Sequence, residues 1–252
     1  MCKKIYFILL ALVFSLAIAC SDQQPASVAE KNVTETVPTD AAKDIMPAMT
    51  PDTGETKVFY ENLHYARINP AQPTQSDFDH IEVVEMFFYA CPHCYKLEPT
   101  IERWLKTRAD DVDFVRVPAI IGPTWAEQAK IFYIAEELGI ADSVRKKIFY
   151  SIHKDGKQYY NEYSLMAFFE EQGVNSNRFL ELYQSKEIME KASTARAKTV
   201  GYGIRGVPAI IVNGEYYTAT YFVRDHDEML KVVDFLIDKV REEKKAAAES
   251  KK

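Results

Sequence analysis

The order of apolar and polar positions divides the chain into stretches of different period. Residues 81–89, Ile-Glu-Val-Val-Glu-Met-Phe-Phe-Tyr, are β-rich and nearly continuous in apolar character, as a central strand covered on both faces would be. A helical pattern follows from Pro92 to about residue 107, and 112–117 form a second short apolar strand. Strand, helix and strand in that order predict a parallel unit with a right-handed crossover. Gly122-Pro123 then breaks the chain, and helical periodicity holds for about 75 residues without strand-like alternation. Thr124-Trp125-Ala126-Glu127 reads as a capping box opening a helix that ends at Gly139. Further helices are expected over 143–153, 164–172, 176–184 and about 186–199, so this block reads as a small helical domain or insertion. Gly201-Tyr202-Gly203 closes it. Strand character returns over 207–212, Asn213-Gly214 is a two-residue hairpin turn, and 215–218 form the returning strand. An amphipathic helix over 225–240 (Met229, Val232, Val233, Leu236, Val240) follows, and the charged, Ala-rich 239–252 is expected to be frayed helix or disorder. Upstream, 57–68 should hold a short strand and 69–76 a loop.

The N-terminal stretch has the pattern of an export signal. Lys3 and Lys4 precede an apolar run of 14 residues, 5–18, too short to span a bilayer comfortably. Leu16-Ala17-Ile18-Ala19-Cys20 resembles a bacterial lipobox, with Cys20 as the lipid acceptor, although Ala17 stands where Leu is usual. Ala17-Ile18-Ala19 also fits ordinary signal peptidase, which would leave a soluble secreted protein. Both routes lead out of the cytoplasm, to a compartment where disulfides persist. The expected location is periplasmic, with a lipid anchor at Cys20 holding the protein to a membrane. Residues 20–56, with Pro25, Pro38, Pro47 and Pro51, read as a flexible linker with a reach of roughly 30–35 Å.

Composition narrows the function. Apolar content of 47% and charged content of 27% suit a soluble globular fold. The net charge of −6 becomes −8 once 1–19, with Lys3 and Lys4, are removed. An acidic chain without a basic block lacks the electrostatic footprint of a nucleic-acid binder. Of the four cysteines, Cys2 and Cys20 belong to the export signal, which leaves Cys91 and Cys94 as the dithiol of the fold.

Cys91-Pro92-His93-Cys94 stands where the apolar strand ends and the first helix begins. A thiolate at Cys91 would face the free N–H groups of the first turn and the positive end of the helix dipole, with Pro92 at the first helical position. A protonated His93 would add positive charge. Both lower the pKa of Cys91, and a stabilised thiolate makes the disulfide an oxidant. Cys94, one turn on and inside the helix, is the more buried partner. Cys91 is therefore read as the attacking and attacked sulfur and Cys94 as the resolving one. A zinc site would need two further ligands, and the histidines at 64, 80, 93, 153 and 226 lack ligand spacing. Covalent haem would need His at 95, which is Tyr. No metal or cofactor is expected. A purely structural disulfide closing so small a loop would constrain little. Glu85, on the buried strand, reads either as a proton acceptor for Cys94 or as an ion-pair partner of Arg116. Glu82 is expected to face solvent. Phe88, Tyr89, Tyr95 and Trp125 are either groove-lining or core.

Cys91-Pro92-His93-Cys94-Tyr95 after Glu85-Met86-Phe87-Phe88-Tyr89, with Arg205-Gly206-Val207-Pro208-Ala209 and Val212-Asn213-Gly214 downstream, closely resembles the DsbA family of thiol:disulfide oxidoreductases. The resemblance runs from about 57 to 240. It implies an α/β thioredoxin fold with an inserted helical domain: halves at 57–121 and 191–243, the insertion at 122–190, and a charged tail at 244–252. It also implies that Pro208 is cis and lies against the dithiol, and that Val207 offers its backbone to an extended substrate, with Pro92 as a second substrate contact. The family oxidises reduced, newly exported proteins and is reoxidised by a DsbB-like membrane partner linked to quinone. An isomerase or reductase on the same fold, or a tethered chaperone-like protein, are the rival readings.

Overall fold

The computed structural model describes residues 58–250. The expected export signal, Cys20 and the linker lie outside the described residues. Five strands form one mixed sheet in the order β1-β5-β4-β2-β3. The central β2 (Ile81–Phe87) is buried at every position. It runs parallel to β3 (Val112–Pro118), with Ile81 opposite Val112 and Glu85 opposite Arg116. On its other side it runs antiparallel to β4 (Ala209–Val212), with Val84 opposite Ile211. Between β2 and β3 the chain crosses over through α1 (Pro92–Trp104), which buries Cys94, Leu97, Glu98, Ile101 and Trp104, a stripe at the three- and four-residue spacing of a helix face. The helix stops short of the expected 107. Its last turns tighten, with Lys106 N donating to Arg103 O at 3.2 Å, and Trp104 Nε1 is tied to Asp234 Oδ1 at 2.7 Å.

Five helices fall between β3 and β4: α2 (Pro123–Glu137), α3 (Ala141–His153), α4 (Glu162–Glu171), α5 (Ser176–Tyr183) and α6 (Lys186–Gly201). The expected capping box at Thr124 does not form. Gly122 is the N-cap and Pro123 the first helical residue, so Thr124 lies already inside the first turn. Glu127 instead pairs with Lys130 at 3.1 Å and accepts from Tyr183 Oη at 2.7 Å. A reciprocal cap does open α4, where Asn161 Oδ1 accepts from Ser164 N at 3.0 Å and Asn161 N donates to Ser164 Oγ at 3.3 Å.

After β4, Asn213 (φ 53°) and Gly214 (φ 65°) make the hairpin into β5 (Tyr216–Ala219), which in turn pairs with the short β1 (Ala66–Arg67). Gly214 is required twice over: its φ is left-handed, and an added Cβ would lie 2.1 Å from Gln72 O. Strand β4 begins at Ala209, later than expected, because the preceding Pro208 has no N–H to give to a ladder. A short 3-10 turn (Thr220–Phe222) leads to α7 (His226–Glu249). The end of α7 is ordered helix rather than a frayed tail. Arg241 holds Asp111 at 2.7 Å, Tyr216 Oη donates to Glu243 at 2.8 Å, and Lys244 Nζ donates to His80 O at 2.7 Å. These bonds dock a sequence with little apolar character.

One apolar cluster joins α1 and α7 to one face of the sheet, around Val83, Leu97, Ile101, Val233 and Leu236. A second, around Val84, Met86, Ala129, Ala195 and Ile211, joins α2 and α6 to the other face. The third lies within the helical block and reaches Phe87, Tyr89 and Cys94. Glu82, expected at the surface, is buried, because the loop before β2 folds over it and Gln75 N donates to its Oε2 at 3.0 Å. No helix among the described residues is long and apolar enough to cross a membrane.

Candidate active site

Cys91 is the N-cap of α1, in extended backbone (φ −83°, ψ 117°), with Pro92 following as the first helical residue. Its N–H donates to Phe88 O at 3.0 Å, which turns the chain from β2 into the helix. Both thiols are free. Cys91 is half-buried, Cys94 fully so, and Pro92 and His93 are exposed. The Cys91 S–H points at Val207 O, 3.3 Å away and 116 residues along the chain. The Val207–Pro208 bond is cis, as the resemblance implied.

The two thiols are driven in opposite directions. A hydrogen bond from Cys94 to the Cys91 sulfur lowers the pKa of Cys91 to about 6, against the opposing effect of burial. The backbone N–H groups of Cys94 and His93 and the charge of His93 add to the lowering. Cys94 is pushed well above the ordinary thiol range, first by burial, then by its bond to Cys91 and the Cys91 charge, and also by the charge of Glu85.

Glu85 is the ion-pair partner of Arg116, one of its two expected readings. It lies across the sheet from Arg116, with Arg116 Nε 3.0 Å from its Oε2, and its charge is felt at Cys94. The contact is close but badly directed, and neither carboxylate oxygen has a hydrogen-bond partner among the described residues. Burial raises the Glu85 pKa, while Arg116 and then Arg145 pull it down.

The aromatic residues divide. Tyr89 is core, 1% exposed, with edge contacts to Phe87 and Phe149, so it lines no groove. Phe88 stacks on Trp125 at 3.9 Å, and Tyr95 stacks on His153 at 4.8 Å. Two residues that the sequence reading missed hold the segment before Cys91. Gln128 of α2 accepts from Ala90 N at 3.0 Å, and His153 of α3 bonds Tyr89 O at 2.8 Å. A glutamine on the apolar face of α2 was the available signal for the first. Nothing local marked the second. Beside α1 runs a cleft of about 400 Å³ lined by Tyr95, Lys96, Pro99, Phe149 and Tyr150. Among the described residues no three His, Cys, Asp or Glu side chains are grouped to hold a metal ion.

Thiols one helical turn apart, one easily ionised and the other held protonated, trade places as leaving group and reserve during exchange. That is the chemistry of the thiol:disulfide oxidoreductases, and the sheet with its five helices between β3 and β4 is the thioredoxin fold with an inserted helical domain. Residues 82–236 match the family model of the DSBA-like thioredoxin domain, and the chain belongs to that family. It is 34% identical to the thiol:disulfide interchange protein DsbA of Burkholderia cepacia over 173 residues, covering 69% of this chain and 82% of that one. The protein of the same name from Pseudomonas aeruginosa is 37% identical over 161 residues, 64% of this chain and 76% of that one. The crystal structure of Pseudomonas aeruginosa DsbA superposes with a TM-score of 0.69 at 34% identity, covering 76% of this chain and 97% of that one.

Proposed function

We propose that this oxidoreductase donates a Cys91–Cys94 disulfide to reduced, newly exported proteins. A substrate thiolate attacks Cys91 Sγ, the Cys91–Cys94 bond breaks, and Cys94 leaves as a thiolate that takes up a proton; Glu85 accepts the proton from Cys94 when the ring closes again. A second substrate thiolate then attacks the substrate sulfur of the mixed disulfide. Cys91 leaves as the stabilised thiolate, and the substrate keeps the new disulfide. His93 and the first turn of α1 favour that departure. Val207 offers backbone to the substrate beside Pro208 and Pro92. A DsbB-like membrane protein that passes electrons to quinone restores the disulfide. The observation that carries this reading is the placement of the two thiols, Cys91 half-exposed at the mouth of α1 against Val207 O and Cys94 buried one turn on. Its test is the thiol–disulfide equilibrium of the protein in glutathione buffers, followed by alkylating free thiols. The dithiol should stay reduced until the buffer is markedly oxidising. A disulfide that persists in reducing buffer would instead indicate a reductase.

Replacing Val207 with Thr should change mixed-disulfide lifetimes about fivefold, the effect of one added or altered hydrogen bond of about 1 kcal/mol, with the thermal midpoint hardly moved. Unchanged lifetimes would remove Val207 from the substrate contact. The proposed second half of the fold, 191–243, meets the inserted 122–190 within α6, which is unbroken there, and the first half, 57–121, meets it just before α2. We place the protein in the periplasm, tethered through a lipid at Cys20. Substituting Cys20 by Ala should move it from the membrane fraction to the soluble fraction, while its glutathione equilibrium stays the same. Unaltered fractionation would favour plain signal cleavage.

A further inference from the structure

Four charged side chains lie behind the dithiol, and the scheme above uses only one of them. Glu85 of β2 is paired with Arg116 of β3. Glu98 of α1, one turn beyond Cys94, is paired with Arg145 of α3, and both are buried. Arg145 also reaches Asp142 on its own helix at 3.3 Å, but that carboxylate is exposed. Phe114, Arg116, Phe132, Glu136, Asp142 and Arg145 line one cleft of about 240 Å³ at the outer edge of β3. A buried pair of this kind adds little stability over an apolar pair of the same volume, which directs attention to what its charge does to the site.

We propose that Arg145 is a positioning residue for the redox reaction: from the helical insertion it grips α1 through Glu98, one turn beyond Cys94, and together with Arg116 it sets positive charge around Glu85. The inference rests on Glu85 serving as the proton acceptor of Cys94. The groups facing Glu85 are Cys94, Tyr89, Arg116 and Arg145; those facing Arg145 are Glu98, Glu85, Tyr89, Asp142 and, across the cleft, Arg116 and Glu136. Of these, the two arginines are the cations that oppose the burial of Glu85. Arg116 acts on Glu85 first through its charge, and Arg145 supplies the second charge.

The step at issue is ring closure during reoxidation. With glutathione disulfide as oxidant, the Cys91 thiolate attacks one glutathione sulfur and expels a glutathione thiolate. Cys94 then gives its proton to Glu85, and its thiolate attacks Cys91 Sγ. The Cys91–Cys94 bond forms and the second glutathione thiolate leaves, so two electrons have passed to glutathione.

The experiment mixes reduced protein with glutathione disulfide, quenches in acid at intervals, and resolves reduced, mixed-disulfide and closed forms by mass between pH 5 and 8. Arg145→Met should move the midpoint of the ring-closing rate upward by about one pH unit, slowing closure about tenfold on the acid side. Arg145→Lys should restore the original profile. Arg145→Met should add nothing in a Glu85→Gln background, because it acts through Glu85. If Arg145→Met alone disturbs folding by near-UV circular dichroism, Glu98→Gln with Arg145→Met removes both buried partners and should give the same shift. An unchanged profile in a folded Arg145 variant, with Glu85→Gln slow, overturns the role of Arg145 alone. An unchanged profile in Glu85→Gln overturns Glu85 as the proton acceptor and the role of Arg145 with it.

Discussion

Replacing Cys91 with Ser should take disulfide transfer to background in cells lacking other oxidases, while the protein stays folded. Serine keeps the shape of the N-cap and its backbone bond to Phe88 O. The side chain is half-buried and makes no capping hydrogen bond, so little packing depends on the sulfur. What disappears is the sulfur of the pair that is in a position to be attacked, since Cys94 is buried and holds its proton. A hydroxyl neither forms the disulfide nor ionises in this range. The measurement is recovery of a disulfide-dependent periplasmic activity, with protein level as the control for folding. Recovery to the level of the unaltered protein would mean that the chain assists folding by holding unfolded substrates rather than by exchanging disulfides.

The second large effect is a pH dependence confined to the reduced protein. Cys91 titrates at about 6 in the fold, against 9.0 for an ordinary thiol. A depressed pKa stabilises the folded, reduced state fully above the unfolded value of 9.0, and the benefit is lost as pH falls through 6. By linkage the contribution is at most about 3 kcal/mol at pH 8, about 1 kcal/mol at pH 7 and near zero at pH 5. Solvent at this half-buried site reduces those figures. Cys94 adds nothing here, because its thiol stays protonated in folded and unfolded chains alike below the ordinary range. The oxidised protein has no such group, so carboxylates and histidines elsewhere cancel in the difference. Urea unfolding of both forms between pH 5 and 8 should show the stability gap moving toward the reduced form with rising pH. The glutathione equilibrium should shift the same way, by up to about fivefold between pH 6 and pH 7. A gap independent of pH would mean that thiolate stabilisation is not what makes the dithiol oxidising.

Much of this protein was legible in its sequence because it is local. Two cysteines separated by Pro-His at the mouth of a helix must lie one turn apart, with the first beside the free N–H groups, whatever surrounds them. The continuous apolar run of β2, the hairpin at Asn213-Gly214 and the five successive helices follow from periodicity and turn chemistry in the same way. Periodicity failed where a polar residue was assigned to solvent by default. Glu82 looked like a surface position, yet a loop covers it. The end of α7 looked frayed, yet Asp111, Tyr216 and His80 O hold it from the sheet side. Tyr89 carried the same aromatic signal as Phe88 and Tyr95, and only its full burial separates it from them.

The sequence by itself determined the redox pair and the order of the two thiols, since these depend on residues within a few positions of one another, and the resemblance of its separated motifs gave the class of fold. Only the tertiary structure decided what stands against the pair. The Val207 carbonyl at Cys91, Gln128 and His153 behind the segment before it, and Arg145 near Glu85 come from distant parts of the chain. A pattern of apolar positions says which face of an element is covered but not by what. The acidity of a thiol or a buried carboxylate depends on those covering groups, because in a poorly solvated site each nearby charge and hydrogen bond acts with little screening.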